Sequence, residues 1–140
     1  MSRASVRRIK EEGTVLVKYR KDYEKVAMGL LSFIPDFKDI AHLQTEMQWY
    51  QSTDDHQLLL WRQGDGDFCG IMGIEVGTDF ILLHHDSLSP EERTAANQYQ
   101  MLDELAALYP DQRVMGTLEM APIVGAWERN RDRRTTTNHH

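Results

Sequence analysis

The residues best suited to chemistry lie close together: Glu75 in the stretch GIMGIEVG, and His84, His85 and Asp86 at the end of FILLHHD. An ionised carboxylate or a neutral imidazole can take the proton of an ammonium group near neutral pH, so Glu75 and His84 are the candidate bases. Successive side chains of a strand point to opposite faces, which places His84 and Asp86 on one face and His85 on the other. The pair reads in three ways: a base with its orienting carboxylate, two ligands of a metal, or a polar pair closing a strand end. A metal needs more converging ligands than the sequence offers, and no metal is expected. Glu75 reads also as a strand-end carboxylate facing water.

A second polar stretch, SPEERTAANQYQMLDELAALYP from Ser89 to Pro110, passes from loop to helix. The first N–H groups of a helix have no partner within it and, with the helix dipole, attract an anion. Glycine commonly lets such a loop curl round a phosphate, and this loop has none. If Ala96 or Gln98 required a left-handed backbone, each would cost about 1–2 kcal/mol. With ordinary angles, the Asn97 and Gln98 amides become the expected donors. Glu91 and Glu92 oppose an anion here, and Arg93 favours one.

These residues need elements to hold them. TVLVKY reads as a strand, and Tyr23, Val26, Ala27, Leu30 and Leu31 recur at the spacing of one helix face. Pro35 ends that helix. Asp36 is expected to cap a second, carrying Phe37, Ile40, Leu43, Met47 and Tyr50. QLLLWR, FCGIMGIEV and FILLHHDSL follow as three strands joined by turns at QGDGD and GTD, an antiparallel meander. Tyr99, Leu102, Leu105, Ala106 and Tyr109 make a third helical stripe, RVMGTL a further strand, and a last helix starts near Pro122 with Ile123, Val124 and Trp127. The order of strand, helix, helix, three strands, helix, strand, helix fits one sheet with helices on its faces.

With 140 residues, 41% hydrophobic and 27% charged, the chain has the length and composition of one globular domain. A net charge of −6 disfavours nucleic acid as a partner. No apolar run is long enough to span a bilayer, and the basic start lacks the apolar core of a secretory signal, so a cytoplasmic location is expected. Arg3, Arg7, Arg8 and Lys10, and Arg129, Arg131, Arg133 and Arg134, cluster at the ends and read as solvated tails. Residues 1–13 are expected to be a flexible extension, 14–130 the folded domain, and 131–140 a disordered tail. Cys69 is the single cysteine, read as a small core residue, so no disulfide forms within the chain. Trp49, Trp61 and Trp127 read as core or groove rim, and His139 and His140 alone make no site.

The stretch KYRKDYEKVAMGLLSFIPDFKDI, supported by QLLLW and QMLDEL, resembles the GNAT superfamily of acyl-CoA-dependent N-acyltransferases, and within it the RibT-type proteins of bacterial riboflavin operons. The resemblance covers residues 15–130. It implies an α/β (α+β) GNAT fold: a mixed, largely antiparallel sheet flanked by four helices, splayed where the fourth strand parts from the fifth. It also implies acetyl-CoA as cosubstrate, an amine on a small molecule or a protein as acceptor, and a tie to riboflavin biosynthesis; dimers are common in the superfamily. In the family the fourth strand ends as L-x-V-x-P, and its backbone holds the pantetheine arm. The matching stretch here is Asp86, Ser87, Leu88 and Pro90, with aspartate in the apolar first place. The family's phosphate loop R-x-x-G-x-G/A falls on Arg93, Thr94, Ala95, Ala96, Asn97 and Gln98, with both permissive positions changed.

Many members use a tyrosine on the last helix as the acid for the leaving thiolate. Trp127 stands nearest that place here, and no tyrosine follows Tyr109. Two readings remain open at this point: an active acetyltransferase relying on water for that proton, or a catalytically altered GNAT scaffold that binds or regulates, with weakened hold on CoA.

Overall fold

The computed structural model describes residues 14–138 and the side chains of 14–135. The expected extension 1–13, His139 and His140 lie outside the described residues. Five strands run β1 (Thr14–Lys18), β2 (His56–Gln63), β3 (Phe68–Val76), β4 (Phe80–Leu88) and β5 (Arg113–Gly116), and form one sheet in that order. The first four pair antiparallel, and β5 joins β4 in parallel. The helices are α1 (Glu24–Leu31), α2 (Ile40–Tyr50), α3 (Ala95–Leu108) and α4 (Ala121–Asn138).

Helices cover both faces of the sheet, which explains why QLLLW is a continuous apolar run rather than an alternating one. Leu59 and Trp61 of β2 face a core shared with Met72, Ile74, Leu83, Leu88, with Met101, Leu102 and Leu105 of α3, and with Val124 and Trp127 of α4. Leu58 and Leu60 face the other side, where Ala27, Leu30 and Leu31 of α1 meet Leu43, Met47 and Tyr50 of α2.

Two expectations are corrected. The cap of α2 is Asp39, whose side chain accepts from the Ala41 N–H at 2.9 Å; Asp36 lies in a short 3-10 turn, Pro35–Phe37, that keeps Phe37 buried before the helix begins. Residues 131–138, expected as a disordered tail, continue α4. Side-chain contacts hold this last stretch: the Arg131 guanidinium lies 4.3 Å from the Trp127 ring centre, and Arg134 donates twice to Asp103 of α3, at 3.1 and 3.2 Å. A sequence window sees polar residues with nothing to bury; it does not see the α3 carboxylate they reach.

Candidate active site

The strand β4 outlasts its neighbour. Pairing with β5 covers Phe80–Leu83 only, and the Thr117 N–H to Leu83 carbonyl bond (3.1 Å) closes the last rung. The chain then turns sharply into α4, with Gly116 so close to the backbone of Met120 and Ala121 that a side chain there would collide. From His84 to Leu88, β4 has no strand on this edge among the described residues, and alternate backbone groups of a strand point along its edge. A cleft of ≈ 280 Å³ opens beside it. Its walls come from Phe33–Asp36 after α1, from Arg93 and Gln98 at the start of α3, and from Glu119 and Met120 before α4.

A β-bulge shapes the floor. Gly73 pairs with His85, but its neighbour Ile74 pairs with Leu83, so His84 is the extra residue on β4. This overturns the alternation expected from sequence. His84 and His85 both turn toward α2, their ring centres 6.4 Å apart: His84 packs 4.9 Å from Trp49, and His85 packs 4.9 Å from Phe37. Asp86, paired with core residue Met72, faces the α3 side instead. His84 and Asp86 are therefore not a pair. The partner of His84 is Glu75, whose carboxylate Oε1 is 3.0 Å from His84 Nε2. The two candidate bases are one unit.

His85 has its own partner. The Tyr50 hydroxyl lies 2.6 Å from His85 Nδ1. Gly73 makes this possible, since the Tyr50 ring and hydroxyl occupy the space a Cβ at position 73 would fill. Burial, then the nearby Glu46 and Glu75, raises the Tyr50 pKa far above its ordinary value. Burial, then the neighbouring His84, lowers that of His85 to about 4 against the opposing pull of Asp36. The tyrosine keeps its proton and the imidazole stays neutral.

Asp86 is the anomaly of the cleft wall. The residue as a whole is half-buried, yet both carboxylate oxygens are sealed from solvent and make no hydrogen bond among the described residues. Burial alone raises its pKa from 3.8 to about 7. Its side chain is not offered to the cleft; only its main chain borders the open edge. Ser87 is likewise spoken for, its hydroxyl donating to the Leu30 carbonyl at 2.8 Å and tying β4 to the end of α1. Leu88 is core, and its carbonyl accepts from Arg93 Nη2 at 3.0 Å. That bond, with Phe33 at 5.7 Å from the guanidinium carbon, holds Arg93 against the wall of the cleft. Pro90 opens a 3-10 turn, Pro90–Glu92, beyond the strand.

The loop before α3 is unstrained without glycine. Among the described residues no residue other than glycine has a positive φ, and the single positive φ is at Gly64. Thr94 is an ordinary N-cap, φ −128°, its Oγ1 accepting from the Asn97 N–H at 3.1 Å. The Asn97 side chain is committed to the loop: Nδ2 donates to the Glu92 carbonyl at 2.7 Å, and Oδ1 accepts from Gln63 at 3.1 Å. It is therefore not a free donor, as the sequence suggested. The amides of Ala95 and Ala96 make no hydrogen bond among the described residues, and Gln98 lines the cleft. The opening of α3 thus leaves backbone N–H groups at the positive end of a helix dipole, with Arg93 two residues before the helix and the Glu92 carboxylate 3.3 Å from Asn97 Nδ2.

Trp127 takes no part. It is buried, and its indole N–H donates to Asp103 at 2.9 Å on the far side of α3. No group of three or more potential metal ligands is found among the described residues, nor any helix long and apolar enough to cross a membrane. Sequence reasoning set His85 on the face away from His84, read Tyr50 only as part of a helical stripe, and missed the Phe33–Asp36 wall. The one signal for Tyr50 is Gly73, a glycine inside an apolar strand, which marks a close approach.

Comparison with known proteins follows the same lines. No family model matches the chain. It is 37% identical over 111 residues to an uncharacterized N-acetyltransferase encoded in the lysA 3' region of Bacillus methanolicus, covering 79% of this chain and 92% of that protein. The fold is similar to an acetyltransferase from Thermus thermophilus (TM-score 0.61, 11% identity, 74% of this chain and 75% of that one). It is also similar to a GNAT family acetyltransferase of Staphylococcus aureus (TM-score 0.58, 12% identity, 75% and 86%). A third likeness is to the aminoglycoside N-acetyltransferase AAC(6')-Iy in complex with CoA (TM-score 0.56, 14% identity, 76% and 79%).

Proposed function

The chain belongs to the GNAT acetyltransferase superfamily, and from that premise we propose that it transfers the acetyl group of acetyl-CoA to an amine at the β4 cleft. The observation that carries this reading is the parting of β4 from β5 directly beside the open start of α3 and Arg93. The phosphates of CoA sit on the Ala95 and Ala96 amides, with Arg93 as counter-charge. The pantetheine arm takes the place of the missing strand along Leu88, Ser87 and Asp86, using main-chain groups only. The five strand residues from Leu88 to His84 give it four steps, roughly 13 Å at about 3.3 Å per residue, and bring the thioester to the two histidines.

His84 is the base. Its Nε2–H faces Glu75, which orients the ring and leaves Nδ1 to take a proton. His84 first takes the proton of the ammonium; the freed amine nitrogen bonds to the thioester carbon, the C–S bond breaks with its electron pair on sulfur, and the nitrogen sheds its second proton to water as the amide forms. The thiolate takes its proton from water, because no tyrosine follows Tyr109 to supply one from the last helix. The resemblance to RibT-type proteins supports a further proposal, that the reaction is associated with riboflavin biosynthesis. The rival, a GNAT scaffold that binds without transferring, draws on the absent phenol.

Thiol release from acetyl-CoA, followed with a thiol reagent across a panel of primary amines, tests the reading. Wild type should release thiol with at least one amine, and His84→Ala should lose about 10²–10⁴-fold of that rate, the usual worth of a positioned base. Amine-dependent release unchanged in His84→Ala would remove His84 from its role.

A further inference from the structure

The two neighbouring histidines are held in opposite ways, and this separates their roles. Tyr50 has one proton to donate and, among the described residues, one acceptor within reach, His85 Nδ1 at 2.6 Å. Were Nδ1 to carry the proton, the buried hydroxyl hydrogen would be left without an acceptor, a costly arrangement. The proton of the neutral His85 ring therefore sits on Nε2. That nitrogen makes no hydrogen bond among the described residues, and it is not among the sealed polar atoms, so it reaches open space; His85 lines the cleft. Glu46, 4.0 Å from Nδ1, and Asp36 are the carboxylates facing the ring, and neither bonds Nε2.

We propose that His85 presents its Nε2–H to the carbonyl oxygen of the bound acetyl thioester, and that Tyr50 is the positioning residue that fixes this tautomer. The assignment rests on the acetyl-transfer reading. As the amine bonds to the carbonyl carbon, the carbonyl π pair moves onto oxygen, where the N–H meets it; when the C–S bond breaks, the pair returns to re-form C=O. No proton leaves His85 at any stage. A neutral imidazole suits the task, because it donates without repelling the cationic amine that His84 must first deprotonate.

The contact exists only when the acetyl group is present, so it can be read by binding without knowing the acceptor. Calorimetric titration of wild type and His85→Ala with CoA and with acetyl-CoA is the test. One neutral hydrogen bond to a carbonyl corresponds to about two- to tenfold in affinity. His85→Ala should lose that factor for acetyl-CoA while CoA binding stays as in wild type. An acetyl-CoA to CoA affinity ratio equal to that of wild type would overturn the proposal. Should His85→Ala lose both ligands through misfolding, Tyr50→Phe serves instead, with ¹⁵N NMR of the imidazoles. It should convert His85 from a single Nε2–H form to a mixture and narrow the acetyl-CoA preference. A wild-type His85 already in mixed or Nδ1–H form would refute the assignment. Failure of wild type to bind CoA at all would bring down the acetyl-transfer reading itself.

Discussion

Replacing Asp86 by asparagine should make the protein more stable, and increasingly so as pH rises. Both carboxylate oxygens are sealed between β4 and the core beneath α3, without a hydrogen bond among the described residues. The polar side chains around the same cleft, Arg93, Glu119, Asp36, His84 and His85, form no pair with it. Burial raises its pKa from 3.8 to about 7. An acid whose pKa rises on folding holds its proton more tightly when folded. Its cost is therefore absent below about pH 4, grows as the pH climbs from 4 to 7, and is constant above. At about 1.4 kcal/mol for each pKa unit, the rise corresponds to about 4 kcal/mol. Asparagine has nearly the same shape and does not titrate. The difference in unfolding free energy between Asp86→Asn and wild type, measured by urea denaturation at several pH values, should therefore widen by about 3–4 kcal/mol from pH 4 to pH 8. Two stability curves that stay parallel over that range would show that the carboxyl finds a partner or water in solution, and would refute the reasoning.

Other consequences follow from the same contacts. Gly73→Ala places a methyl group where the Tyr50 hydroxyl lies; it should cost about 1–3 kcal/mol in denaturation, as overpacking does, and free His85 from its single tautomer. Ala96→Gly with Gln98→Gly should leave CoA affinity unchanged or weaker, because the loop already uses ordinary backbone angles and glycine loosens the first turn of α3 by up to about 1 kcal/mol per site. Tighter CoA binding by calorimetry would show that a left-handed loop is the binding form. Arg93→Ala should weaken CoA about 10- to 100-fold, the worth of a charge-assisted contact, with less loss at high salt; equal affinity would take Arg93 out of the site.

Much of this architecture is legible in the sequence because it is written in short-range patterns. The bounds of β3 and β4 coincide with FCGIMGIEV and FILLHHDSL, since glycine and aspartate turns stop both runs. The stripe at Leu43, Met47 and Tyr50 buries as its spacing requires. What fails is longer in range. The alternation rule assumes an even pleat, and the bulge at His84 breaks it, so His85 joins the site and Asp86 leaves it. Asp36 and Asp39 are equally good caps by type, and only the 3-10 turn after Pro35 selects between them. The end of α4 depends on Asp103, 31 residues from its partner Arg134. Whether a loop without glycine is strained is a question of φ, and residue types alone do not supply φ.

The claim on which the rest depends is that the β4 cleft and the start of α3 receive acetyl-CoA. Calorimetric titration of the wild-type protein with acetyl-CoA at neutral pH tests it most directly. We expect one site per chain with a dissociation constant on the order of micromolar, about −8 kcal/mol. No binding heat up to millimolar acetyl-CoA would contradict the account.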